Sequence, residues 1–231
     1  MQSKIRRRVV RGCVAVTGLG VAFVALVGFA HTEAGRPLLR YLPGMGGSCP
    51  HAELAQMSAV DRDRARARTL APFAGADSTD SRDALGFVLG TSDRATVVAW
   101  ARDHGVTCEA SGSTLRCDGV PAAALDAHGG ESAVAFGFDA ADRLVAVDRS
   151  ARLPDADAAS RWVTDRTEQL SSRLCAPSST RGSAGASHIG RAALSQVSAE
   201  FRRVELRAQV SVTNLGRGRF AARESYQALG T

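Results

Sequence analysis

The chain has 231 residues, 45% of them hydrophobic, 23% charged and 5% aromatic, with a formal net charge of +6. That composition excludes a disordered chain and requires a core built mostly from Val, Leu and Ala. The charge is no nucleic-acid signal: Lys4, Arg6, Arg7, Arg8 and Arg11 supply five of the 29 basic residues within thirty acid-free positions, and the remainder is close to balance.

Residues 1–11 form a basic segment, and residues 12–30, GCVAVTGLGVAFVALVGFA, carry no charge. As a helix, the run from Cys13 spans about 27 Å, close to the hydrocarbon thickness of a bilayer. Basic residues stay on the cytoplasmic side. The segment is therefore expected to be a transmembrane signal-anchor in the inner or plasma membrane, with the C-terminal domain periplasmic or extracellular. Gly28 and Ala30 also fit a small-residue cleavage site, so a cleaved signal peptide is the alternative. Both fates exclude nucleic acid as a partner. Residues 31–50, broken by Pro37, Pro43 and Pro50, read as a stalk before a domain over 51–231.

In chain order, 51–72 predicts a helix stopped by Pro72, whose DRDRARAR run reads as a solvated face or an anionic-lipid patch. ALGFVLG (84–90) predicts a short strand. TSDRATVVAWARDHG (91–105) predicts a helix capped by Ser92 and stopped by Gly105, with Trp100 as its core anchor. CEASGSTLRC (108–117) predicts a hairpin, and 132–148 predicts another around AADR. Helix 155–174 follows, buried through Trp162, Val163, Leu170 and Leu174. A Ser/Gly-rich loop over 177–187 precedes strands near 195–202, 204–213 and 219–228, where Val204, Leu206, Ala208, Val210 and Val212 alternate with polar neighbours. The fold class is α+β: an antiparallel sheet packed against helices, preceded by one N-terminal transmembrane helix.

Four cysteines lie beyond the apolar segment, and an even count outside the cytoplasm is a disulfide signature. A two-residue turn at Gly112-Ser113 places Cys108 opposite Cys117 at a non-hydrogen-bonded position, where Cα atoms approach most closely. Cys49–Cys175 follows by elimination. Neither pair has zinc-site or Cys-x-x-Cys spacing, so no metal or cofactor is expected.

No catalytic signature appears: His31, His51, His104, His128 and His188 are scattered, and Gly-rich stretches follow no strand. The remaining lead is charge. Residues 191–231 hold seven arginines against three glutamates. Arg203, Arg207, Arg217, Arg219 and Arg223 form a candidate interaction surface on the last hairpin.

Helix-then-three-strands, appearing twice over residues 90–228, resembles the tandem architecture of secreted β-lactamase inhibitor proteins and small outer-membrane assembly lipoproteins. The resemblance lies in element order and transfers no site. The whole chain is similar to membrane-anchored envelope proteins of high-GC bacteria. The expected function is non-catalytic binding of an envelope protein, with the last strand offered for edge addition. A hydrolase with loop-borne catalytic residues and an anionic-lipid or cell-wall polymer binder are the alternatives.

Overall fold

Ser58 opens the first helix, α1 (Ala59–Leu70), its hydroxyl accepting from the Asp61 N–H at 3.1 Å. This is a computed structural model that describes residues 57–79, 81–125 and 130–229. The basic segment, the apolar segment, the stalk and Cys49 lie outside the described residues, as does the start of the expected 51–72 helix. No helix among the described residues is long and apolar enough to cross a membrane. Pro72 lies in a 3-10 turn, Ala71–Phe73, that ends α1.

Only Leu70 of α1 is buried, so packing of an apolar stripe does not hold this helix. Arg66 does: its guanidinium donates to the Val145 and Ala228 carbonyls at 2.6 and 3.2 Å. Asp63 accepts from the Ala140 N–H at 2.8 Å. Part of the DRDRARAR run is thus structural.

The expected strand over 84–90 is a miniature hairpin, β1 (Asp83–Ala84) and β2 (Phe87–Val88). Asp93, not Ser92, caps α2 (Arg94–Asp103), accepting from the Thr96 N–H at 2.8 Å. The Ser92 hydroxyl is already committed to the Val88 N–H at 3.0 Å. Trp100 anchors α2 through edge-on contacts with Phe87 and Phe136, at 5.2 and 5.7 Å between ring centroids, and donates to the Ala124 carbonyl at 3.1 Å.

Strands β3 (Cys108–Ser111) and β4 (Thr114–Val120) pair in the expected register, from Ser111 opposite Thr114 out to Cys108 opposite Cys117. The two cysteines are disulfide-bonded with Cα atoms 4.1 Å apart. Gly112 takes φ of 59°, which the tight turn requires and side-chain-bearing residues rarely adopt. β5 (Ser132–Phe138) and β6 (Leu144–Leu153) follow, β6 running five residues past the expected end.

Asp155 caps α3 (Ala156–Leu174), accepting from the Ala158 N–H at 2.7 Å. Within the expected Ser/Gly loop lie a short strand, β7 (Ser179–Arg181), and the start of a one-turn helix, α4 (Ala186–Ile189). β8 (Gln196–Arg202), β9 (Leu206–Gly216) and β10 (Arg219–Ala228) complete the chain.

Apart from the miniature hairpin, the strands form one antiparallel sheet in the order β3-β4-β5-β6-β10-β9-β8-β7. Each of α2 and α3 precedes a meander of four strands, not the expected three, and the two meanders join where β6 pairs with β10. The last strand is therefore central. It offers no free edge, and the expected edge addition there is ruled out; among the described residues the edges are β3 and β7.

On the covered face, Leu115, Phe136, Val147, Tyr226, Ala208 and Phe201 form one row across six strands, all buried. Fully burying a side chain such as Phe136 contributes about 1.5–3 kcal/mol. α3 lies across β8, β9, β10 and β6, burying Trp162, Val163, Leu170 and Leu174.

Candidate functional site

Among the described residues, the opposite face of the sheet is open. Strand pairing places Glu109, Arg116, Ala135, Asp148, Ser225, Gln209, Glu200 and Ser179 in one row across all eight strands. The next row holds Ala133, Ser150, Arg223, Ser211, Ser198 and Arg181. Small and polar side chains make the floor, because no layer of the described residues covers this side of the strands.

Charges on this face divide into paired and unpaired. The Arg223 Nε donates to Asp148 at 2.9 Å, and this bond raises the pKa of the guanidinium. Glu200 accepts from Arg202 and Arg207, both at 2.7 Å, and Arg207 stacks on Phe73 at 4.2 Å. Arg116 meets Asp118 at 3.3 Å. Arg152 and Arg181 are exposed on this face and have no ion-pair partner among the described residues, and neither has the exposed Arg219 beside the β9–β10 turn. Arg152 borders an open depression of about 490 Å³ whose lining also includes Arg116, the acidic Asp118 and Glu131, Ser150 and the exposed Leu215.

Behind this face, at the middle of the sheet, lies a buried charge cluster. Arg149 and Glu224 sit directly opposite each other on β6 and β10, 1% and 0% exposed, and Arg166 reaches them from α3. The Glu224 Oε1 accepts from the Arg166 Nε at 2.7 Å and from the Tyr226 hydroxyl. Arg149 Nη1 stands 3.7 Å from Glu224 Oε2, and its Nε donates to Ser132 at 3.1 Å. Arg166 also donates to Gln169 at 2.5 Å. Burial, reinforced by the Glu224 charge, pushes the Tyr226 phenol far up. These groups are shut from solvent and bind the two meanders and α3 together.

The five arginines expected on one surface divide three ways. Arg203 is 5% exposed and lies between β8 and β9, where it donates to the carbonyls of Leu174, Ala176 and Arg202. A cation at the C-terminal end of α3 satisfies orphan carbonyls and opposes the negative end of the helix dipole. Arg207 and Arg223 lie on the open face, whereas Arg217 and Arg219 flank the β9–β10 turn. Cys175 caps α3, is exposed and forms no disulfide among the described residues. His104 rests on Trp100, with Nδ1 2.8 Å from the Trp100 carbonyl. His188 belongs to α4. No group of three or more His, Cys, Asp or Glu is placed to hold a metal among the described residues.

Sequence reasoning passed over Arg149, Arg166, Glu224 and Tyr226. The available signal was a charge at an inward position of two otherwise alternating strands. No family model, no curated protein and no solved structure matches the chain.

Three carboxylates tie stability to pH. Thr96, through its hydroxyl and N–H, holds Asp93 below the usual range. Burial works against ionisation of Asp139 and Glu200. Bonds from Arg143 and Ala141 to Asp139, and from Arg202 and Arg207 to Glu200, nevertheless hold both low. A carboxyl whose folded pKa lies below its unfolded value contributes stability above the unfolded pKa and loses it as pH falls. The urea midpoint is therefore expected to drop from about pH 5 downward. Glu200→Gln should flatten part of that slope; an unchanged slope would remove Glu200 from this account.

Proposed function

We propose that the chain is a single-pass, membrane-anchored, non-catalytic protein of a bacterial envelope. Its α+β domain stands on the periplasmic or extracellular side and binds an envelope protein through the open sheet face. The observation that supports this reading is that face itself, a broad polar floor that the described residues leave uncovered and whose exposed Arg152 and Arg181 have no acidic partner among them. Those arginines fit a partner with an acidic surface, because complementary charge steers association and fixes orientation. The β9–β10 pair enters the interface by its face rather than its edge. The disulfide at β3 suits an oxidising compartment. The same reading pairs Cys175 with Cys49.

The test has two arms. The intact mass of the chain from its own membranes, alkylated without reduction, should show full length with a reactive thiol at Cys13 alone. A chain cut near Ala30 would reject the anchor. In cells, a photo-crosslinking residue replacing Ser150 should trap a protein adduct that a replacement of Asp165, exposed on α3, does not. Arg152→Glu with Arg219→Glu should abolish that adduct. Equal trapping from both positions would reject the open face as the interface. Trapping of lipid alone at Ser150 would favour an anionic-membrane binder.

A further inference from the structure

β6 and β10 are each ten residues long, and Arg149 lies opposite Glu224. A twofold axis through that pair, normal to the sheet, carries β6 onto β10 and exchanges the two meanders. It maps Asp148 onto Arg223 and Arg149 onto Glu224. Equivalent positions of the two halves thus carry opposite charges, on both faces of the sheet. On the open face Asp148 and Arg223 are diagonal neighbours joined at 2.9 Å. On the covered face Arg149 and Glu224 stand 3.7 Å apart.

The same axis defines what a pairing of like halves would bring together. Two β6 strands in this register set Arg149 against Arg149 and Asp148 beside Asp148. Two β10 strands set Glu224 against Glu224 and Arg223 beside Arg223. Every one of these contacts is repulsive, and the one on the covered face is also shut from water.

We infer that the β6–β10 seam is a recognition surface that accepts only the unlike half. It admits residues 156–229 against residues 81–153 and rejects a second copy of either. Before the halves meet, each exposes a ten-residue inner strand, the kind of long edge that templates pairing with another chain. The charge pattern suppresses that error in a chain whose halves share one topology. The inference stands whatever the open face binds.

The test uses the full chain in detergent micelles and the open-face pair, which leaves the buried cluster intact. Asp148→Asn with Arg223→Gln should change the unfolding equilibrium constant less than about fivefold, the worth of an exposed ion pair. Refolding of that variant should nevertheless lose monomer several-fold to dimers and larger species, increasingly so at higher protein concentration. Asp148→Arg alone and Arg223→Asp alone should lose more. The exchanged pair, Asp148→Arg with Arg223→Asp, should recover the native monomer yield. A neutral pair that refolds to monomer as completely as the native chain at every concentration would overturn the inference. So would an exchanged pair that fails to recover.

Discussion

Glu224→Ala is expected to cost roughly 3–5 kcal/mol, enough to unfold much of the population of a marginally stable domain. The carboxylate is fully buried between Arg149 and Arg166 and is their shared anion. Removing it leaves two guanidinium groups facing each other without water, and strands the Tyr226 hydroxyl and the Arg166 Nε that bond to it. Glu224→Gln keeps the shape and still removes the charge, so it should cost nearly as much. Asp148→Ala breaks an exposed ion pair on the same strands and should cost no more than about 1 kcal/mol. Urea midpoints at neutral pH read all three. A Glu224→Ala cost as small as that of Asp148→Ala would mean that water reaches the cluster.

Deletion of residues 219–231 should abolish the folded domain. β10 lies between β6 and β9, so the deletion unpairs eight residues of β6 and ten of β9. It also removes Phe220, Ala222, Tyr226 and Ala228 from the core and the Ala228 carbonyl from Arg66. Limited proteolysis and far-UV circular dichroism of the shortened chain should show a protease-sensitive product without native strand signal. A shortened chain that keeps a protease-resistant domain would contradict the central placement of β10.

The contrast between these two results marks what the amino-acid order could convey. Local rules placed the Cys108–Cys117 hairpin residue by residue, because a turn glycine and two cysteines fix the register by themselves. They also placed α3, whose buried stripe repeats over five turns. β6 was legible only to Asp148, since Arg149 occupies a core position and an arginine there breaks the apolar alternation. The same masking hid Glu224 in β10 and Arg166 in α3. Strand order was not legible at all. Nothing local tells β10 to return to β6, and the partners that decide it lie far apart in the chain. The candidate surface suffered likewise: Arg203 has the same composition signature as Arg207, yet the end of α3, twenty-nine residues earlier, draws it into the interior.

The clasp made by Arg66 has a mechanical consequence. One guanidinium holds a carbonyl of β6 and a carbonyl of β10, so α1 is fastened across the junction of the two meanders. Tension entering the domain through Ser58 is delivered to the two long central strands. Those strands are paired on both sides over most of their length, and they yield only when many backbone bonds break together. The three-residue strand β7 at one rim lies off that load path.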